Sequence, residues 1–402
     1  IKDKILFHLK TDISARSGRI RKPKENEQQP LSQSEEVNED KCESWPKRIV
    51  TGLQPTGALH VGNYFAAVRR CVQLQEQGDD VMVFIADLHA LTTKQVPYVV
   101  LELTAYLLAS GVDPARSVLF AQSAVPRHAE LCWLLACLAT HARLAQLPQY
   151  RERAGAGGVG LLLYPVLQAA DVLLYRGTHV PVGADQLQHL QVASQLVRTF
   201  HHRYGRAFPT PRAILPEDGS DRIRSLRDPA KKMSKSDPDP KSRIMLADGD
   251  DDIRLKIRKA VTDFTPQVTF DPAGRPGVSN LVLLQCLAED KLPEEAVQEA
   301  EGLTTAQYKR VVAAALGAAL RPVRERAAEL RARPALLRDV LRHGAARARR
   351  RADRVFADVA ALAGLAPGLA ERPPPGLAAR PPPGLAQRPP PGPAERAGSS
   401  SA

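Results

Sequence analysis

Apolar residues recur along this chain with two spacings, and the alternation between them predicts the fold class. Arg48-Ile49-Val50 is a short apolar run leading into the glycine-rich stretch Thr51 to Gly57. Between Asn63 and Gln77 the positions Tyr64, Ala67, Val68, Cys71 and Leu74 fall on one face of a helix. Val81-Met82-Val83-Phe84-Ile85-Ala86 and Ser117-Val118-Leu119-Phe120 are short unbroken apolar runs, the pattern of strands covered on both faces. Strand–loop–helix units in succession predict an α/β fold, a parallel sheet with helices on both faces. In such sheets ligands sit beyond the carboxyl ends of the strands, which is where the glycine-rich stretch falls.

Four zones follow from the pattern. Residues 1–44 are polar, with nine basic and nine acidic residues, and are expected to be disordered. The first half, to Lys24, is basic and has the character of a targeting remnant, whereas the acidic second half has not. Residues 45–246 hold the strand–helix alternation. Residues 247–367 lose the strand signal and are rich in Ala, Leu and Arg at helical spacing, which predicts an all-helical domain. Within it, Arg321 to Arg354 contains twelve Arg against four acids; a solvated helix surface is favoured over an RNA contact on that observation alone. Residues 368–402 repeat RPPPGLAA, RPPPGLAQ and RPPPGPAE from Arg372, Arg380 and Arg388, a proline-rich tail unable to bury a core.

Charge and cysteines narrow the classes. The 402 residues carry 56 Lys and Arg against 44 Asp and Glu, a net charge of +12. Such an excess fits a polyanionic partner without selecting one. The five cysteines are odd in number and lack metal spacing, which argues against a disulfide framework and against structural zinc. Val159 to Tyr175 comes nearest to a membrane span, but Pro165, Gln168 and Asp171 interrupt it, so no membrane partner is expected.

Three blocks carry chemistry. Thr51-Gly-Leu-Gln-Pro-Thr-Gly-Ala-Leu-His-Val-Gly-Asn-Tyr64 follows a strand and opens a helix. Its glycines allow tight turns and close approach of a nucleotide, and His60 and Asn63 stand at a helix N-terminus, where phosphate oxygens are favoured. Lys231-Lys-Met-Ser-Lys-Ser-Asp237 sets two lysines among small polar residues, suited to a loop that closes over a triphosphate and stabilises departing oxygens. Tyr164-Pro-Val-Leu-Gln-Ala-Ala-Asp171 continues to Tyr175 and is followed by Val180-Pro-Val-Gly-Ala-Asp-Gln-Leu-Gln-His189. Asp171 lies in an apolar helical pattern, where a carboxylate needs partners; a structural role and the receipt of a ligand N–H are both open.

Taken together, GLQPTGxLHxGNY, the HxGN and KMSKS words, Phe84-Ile-Ala-Asp-Leu-His-Ala-Leu-Thr92 and VPVGxDQxQH resemble class I aminoacyl-tRNA synthetases, and within them the tryptophanyl family of bacterial or mitochondrial type. The resemblance runs from about Trp45 to Leu365. It implies a Rossmann-like parallel-sheet catalytic domain followed by an all-helical anticodon-binding domain. The implied activity is ATP-dependent activation of L-tryptophan and its transfer to tRNA(Trp). ATP would be a substrate, accompanied by Mg²⁺, with no zinc, and the family implies a homodimer.

Carried over residue by residue, the resemblance assigns ATP to Gln54, Thr56, His60, Val61, Gly62, Asn63, Gly183, Ala184, Asp185, Ile223, Lys232, Met233, Ser234, Lys235 and Ser236. His60, Asn63, Lys232 and Lys235 would be catalytic. Asp171 would accept the indole N–H, Tyr164 and Gln186 would hold the α-amino group, and His89 and Gln168 match pocket positions. Ala184 stands where the family word usually has Glu, and Tyr150-Arg151 where it often has Phe-Lys; arginine keeps the charge with a different geometry. Rival expectations are a tyrosyl-tRNA synthetase, a small-molecule nucleotidyltransferase and a non-catalytic RNA-binding relative. An extension ahead of a bacterial-type body points to the mitochondrial matrix, with bacterial cytoplasm as the alternative.

Overall fold

The computed structural model of the chain describes residues 45–55, 59–92, 99–151, 158–183, 186–235 and 237–365; the expected N-terminal extension and proline-rich tail lie outside the described residues. Five strands form one parallel sheet. These are β1 (Arg48–Leu53), β2 (Asp80–Ile85), β3 (Val118–Ala121), β4 (His179–Pro181) and β5 (Arg212–Ile214), in spatial order β3-β2-β1-β4-β5. Ile49 stands opposite Val81 on one side and His179 on the other. The chain builds outward from β1 in both directions, so the order reverses between β1 and β4. A crevice for ligand opens beyond the carboxyl ends of the strands at such a switch point.

The apolar runs predicted as strands form β1, β2 and β3. Neither β4 nor β5 is legible in the pattern, because three residues cannot display a periodicity. Val61–Asn63 (α1), a π-helical turn at Tyr64–Val68 and Arg69–Glu76 (α2) run end to end where a plain helix is predicted. Such wide turns are frequent at functional sites. The sheet portion adds α3 (Asp87–Ala90), α4 (Val99–Ala109), α5 (Arg127–Ala136), α6 (His141–Ala145), α7 (Pro148–Arg151), α8 (Val159–Leu173) and α9 (Leu187–Tyr204). The helix α8 begins at Val159, behind an extended Gly158.

From residue 250 onward the regular elements among the described residues are helices: α10 (Asp250–Arg258), α11 (Pro276–Glu289), α12 (Pro293–Glu299), α13 (Thr305–Arg331) and α14 (Pro334–Leu362). Local signals place their starts. Pro occupies the first turn of α11, α12 and α14, where its missing N–H has no partner to lose. Thr304 caps α13 and Gln307 reaches back to the Thr304 N–H at 2.8 Å.

Alternate residues of each strand feed two cores. Ile49, Val81, Val83 and Ile85 pack with Phe65, Leu103, Leu107 and apolar residues of α10 to α13. Val50, Met82, Phe84 and Phe120 pack on the other face with α5, α8, α9 and the small-residue stripe Ala345, Ala348, Ala352 of α14. The helical segment therefore completes both cores begun by the sheet.

The arginine-rich stretch expected as a solvated face is in part internal scaffolding. The outer edge of β3 is covered by α14, whose Gly344 rests on the Leu119 carbonyl; a Cβ there would overlap that oxygen. Arg347 donates to the carbonyls of Pro114 at 2.6 Å and Ser117 at 2.9 Å, and Arg349 to that of Ala124 at 2.6 Å. Arg351 joins Arg48 on Asp80, at 2.9 and 2.8 Å. Covering an edge strand in this way removes a row of unpaired backbone groups from solvent. Replacing Gly344 with Ala drives a methyl into main chain that cannot move aside, and is expected to destabilise the fold by about 3 kcal/mol. Thermal or urea unfolding checks it; a melting curve indistinguishable from the parent's would contradict the packing.

Candidate active site

A cavity of about 580 Å³ lies beyond the strand ends at the switch point. Its walls come from Thr51 and Gly52 at the end of β1 and Gln54 just past it, Phe84 at the end of β2 and Ala86 just past it, Val182 and Gly183 after β4, and the face of α8. Gly52 is required there, since any Cβ would run into the Phe84 ring. Of the residues singled out from the motifs, Gln54, His89, Tyr164, Gln168, Asp171, Gly183 and Gln186 line this one space.

The floor is a carboxylate removed from water. Asp171 is 1% exposed. Its Oδ1 accepts from Gln122 Nε2 at 2.7 Å and His128 Nδ1 at 2.7 Å, and its Oδ2 from His89 Nε2 at 2.8 Å. Burial pushes its pKa up, but hydrogen bonds from His128 and His89 more than offset that and hold it at about 2. An ionised carboxylate only accepts, so both histidine nitrogens that face it carry a proton. His128 Nε2 in turn meets Tyr175 Oη at 2.7 Å. On His89 the other ring nitrogen, Nδ1, is buried with no hydrogen-bond partner among the described residues. The His89 ring leans on Tyr164, centroids 4.2 Å apart.

The opposite wall is a polar set on α8 and the start of α9. Gln54 Nε2 donates to Tyr164 Oη at 2.7 Å. His189 Nδ1 lies 2.8 Å from Gln168 Oε1 and 3.1 Å from Gln186 Oε1, so one imidazole orients two amides.

A second, basic group of residues stands outside that cavity. Backbone pairing holds the first motif against the segment that follows the lysine loop: Val61 N–H donates to Ile244 O and Leu246 N–H to Leu59 O, each at 2.9 Å. The lysine-bearing loop is anchored by Met233 N–H on Ile223 O at 3.0 Å and Ser225 N–H on Lys231 O at 2.9 Å. Val61, Ile223 and Met233, read from the motifs as nucleotide contacts, turn their side chains into the core.

His60 is buried beside this loop. Burial, then the charges of Lys235, Arg243 and Lys232, press its pKa down to about 3. Its Nδ1 accepts the Gly62 N–H at 3.1 Å, so the ring proton of this neutral histidine sits on Nε2, as a donor. The Lys235 ammonium is pushed down to about 8 by burial, against the opposing charge of Glu102. Asn63 Oδ1 is buried without a partner among the described residues. Thr56, Ala184, Asp185 and Ser236 lie outside the described residues.

Sequence reasoning missed Gln122, His128 and Tyr175 around the floor and Arg243 beside the lysines. Arg243 is tied to the loop through the carbonyls of Asp237 at 2.8 Å and Asp239 at 3.3 Å. A signal for Gln122 existed: it directly follows a predicted parallel strand, at the carboxyl end where sites gather.

Comparison with known proteins places this geometry. The family described as tRNA synthetases class I (W and Y) matches residues 43–321. The tryptophan–tRNA ligase of Caulobacter vibrioides is 40% identical over 331 residues, covering 79% of this chain and 96% of the relative. The mitochondrial tryptophan–tRNA ligase of Schizosaccharomyces pombe is 38% identical over 326 residues, 74% of this chain and 90% of its own. Among solved structures, the Campylobacter jejuni tryptophanyl-tRNA synthetase complexed with ADP and tryptophan superposes with a TM-score of 0.66 at 30% identity. That match covers 79% of this chain and all of the other.

Removing the Asp171 carboxylate leaves buried donors of three side chains unmatched. Asp171→Ala is therefore expected to lower stability by about 3–5 kcal/mol at neutral pH. The pKa of Asp171 is depressed by folding, so its contribution is full above the unfolded value of about 4 and is lost as pH falls toward about 2. The stability gap between parent and variant, from urea unfolding, should stay level between about pH 5 and 8 and narrow below about pH 4. A gap that is already shrinking at neutral pH would mean the group is not ionised in the fold.

Proposed function

This chain belongs to the class I tRNA synthetases for tryptophan and tyrosine, and we propose that its cleft is where L-tryptophan is activated by ATP. It makes tryptophanyl-adenylate and transfers the aminoacyl group to tRNA(Trp). The observation that carries the tryptophan reading is the buried, ionised Asp171 at the floor of a cavity whose walls mix apolar and polar side chains. A site of that shape takes an aromatic side chain bearing an N–H, and rejects one that leaves the acceptor unmatched. Tyr164 and Gln186 take the α-amino group, with His89 and Gln168 completing the pocket.

In the reaction the tryptophan carboxylate oxygen forms a bond to the α-phosphorus of ATP. The bond from that phosphorus to the bridging oxygen breaks, and pyrophosphate leaves with the electron pair. No side-chain nucleophile is needed; positioning and charge carry the rate. Gln54, Thr56, Gly62, Asn63, Gly183, Ala184 and Asp185 hold the nucleotide, and Lys232, Ser234, Lys235 and Ser236 draw off the charge that develops on pyrophosphate. The neutral His60 donates from Nε2 to a phosphate oxygen, a role compatible with its depressed pKa. Mg²⁺ arrives as part of the MgATP substrate. A ribose hydroxyl at the tRNA 3′ end then attacks the adenylate carbonyl, and AMP leaves.

The helical segment 247–367 reads the tRNA anticodon, as the partner domain of the catalytic segment 45–246. Support comes from exposed Arg333, Arg338, Arg350 and Arg354, in contrast to the arginines engaged with the sheet. The active form is a homodimer; Trp133 on α5, 72% exposed, is the aromatic anchor that fits a second copy. The location is the mitochondrial matrix, in keeping with the basic first 24 residues and a mitochondrial relative.

Two measurements test this reading. Pyrophosphate exchange should depend on tryptophan and not on tyrosine, and Lys235→Ala should lower its kcat by about 100-fold or more. Exchange that runs equally with tyrosine would reject the assignment. Trp133→Glu should convert a dimer to a monomer by light scattering on a sizing column, and an unchanged mass would move the interface elsewhere.

A further inference from the structure

We propose that Gln122, His128 and Tyr175, none of which the motifs single out, set the specificity of the cleft. Gln122 and His128, the latter held by Tyr175, occupy with His89 all but one acceptor position of Asp171, leaving a floor that takes one donor-only group. The inference rests on the reading of the cavity as the tryptophan site and extends it to residues that touch no substrate.

An ionised carboxylate offers about four lone-pair positions. Gln122 and His128 take two on Oδ1, and His89 takes one on Oδ2. Each of the first two donors is fixed from behind. Gln122 Oε1 accepts the Leu88 N–H at 3.1 Å, so its amide cannot turn over without losing a bond at each end. His128 is held by Tyr175 Oη at 2.7 Å. Gln122, His128 and Tyr175 are all 0% exposed, so water does not compete for these positions. The titratable groups facing Asp171 are His89 from α3, His128 and Cys132 from α5, and Tyr175 beyond His128; Cys132 stays a neutral thiol, pushed up to about 12 by burial and then by the Asp171 charge.

One acceptor position on Oδ2 of Asp171, which lines the cavity, remains, and Nδ1 of His89 is also without a partner among the described residues. Both are acceptors and neither gives a proton. An indole N–H is a donor only: it fills the remaining Asp171 position and brings no buried acceptor of its own. A phenol also donates, but its own oxygen lone pairs are then buried without a donor. Unmatched buried polar atoms of that kind lower the affinity for the wrong ligand by roughly 10- to 100-fold. Gln122, His128 and Tyr175 are thus positioning residues: they keep the carboxylate ionised and aim its last lone pair.

The test is steady-state activation with tryptophan, tyrosine and β-(3-benzothienyl)alanine, a tryptophan isostere with sulfur in place of N–H. The enzymes are the parent, His128→Leu, His128→Asn and Tyr175→Phe. The parent should prefer tryptophan over the isostere by about 100-fold, with a tryptophan KM that does not vary with pH. His128→Leu frees a lone pair and lets the carboxylate take a proton. Its tryptophan KM should rise about tenfold with little change in kcat, and rise further as pH falls from about 7 to 5.5. Its preference for tryptophan over tyrosine should fall by about tenfold. His128→Asn restores a donor at the Nδ1 position and should recover most of both properties. Equal defects in the Leu and Asn variants, or an unchanged ratio and pH profile in both, would overturn the proposal. If His128→Leu does not fold, Tyr175→Phe carries the test: the same changes at smaller size are expected, and none would overturn it. A parent enzyme blind to the isostere would instead overturn the reading of Asp171 itself, and this inference with it.

Discussion

A negative charge sealed from water has to be held by donors, and the architecture of this site follows from that demand at Asp171. The carboxylate is 1% exposed and receives hydrogen bonds from three side chains. Those donors come from different places: His89 from the helix after β2, Gln122 from the turn after β3, and His128 from α5. Asp171 and Tyr175 come from α8 and its end. One buried charge therefore ties the carboxyl ends of two strands to two helices on one face of the sheet. Loosening any donor leaves a charge in a low-dielectric interior, which is costly, so the pocket floor is rigid for an electrostatic reason.

The other end of the site has the opposite character. Lys232, Lys235 and Arg243 gather around a buried, neutral His60, and backbone pairing holds residues 59–61 against 244–246. Met233 and Ile223 anchor the lysine loop in the core while its neighbours Lys232 and Ser234 remain toward solvent or part-way so. A dry acceptor at one end and concentrated positive charge at the other suit the proposed substrate pair, an aromatic amino acid bearing a ring N–H and a polyphosphate. Between them the protein supplies position and field, which is what nucleotidyl transfer requires.

The C-terminal helices complete the sheet portion of the fold. α14 covers the β3 edge at Gly344, and Arg347, Arg349 and Arg351 reach carbonyls and a carboxylate of the sheet portion. Positive charge on that helix thus divides between scaffolding and free surface. Counting arginines cannot separate the two uses, because both fall on one helix at similar spacing.

Local order along the chain determined the parts of this protein that depend on local order. Unbroken apolar runs marked β1 to β3, helical spacing marked α8 and the C-terminal helices, and the ordered words around His60, Asp171 and Lys235 marked the family and many residues of the candidate site. Tertiary structure alone decided the rest. β4 and β5 are three residues each and exist because neighbouring strands pair with them. Gln122 and His128 meet Asp171 from 49 and 43 residues away, and His89 from 82. No spacing in the sequence records those meetings, since a hydrogen bond between distant side chains depends on how helices stack on the sheet. Periodicity reports which face of an element is buried; only packing determines what it is buried against.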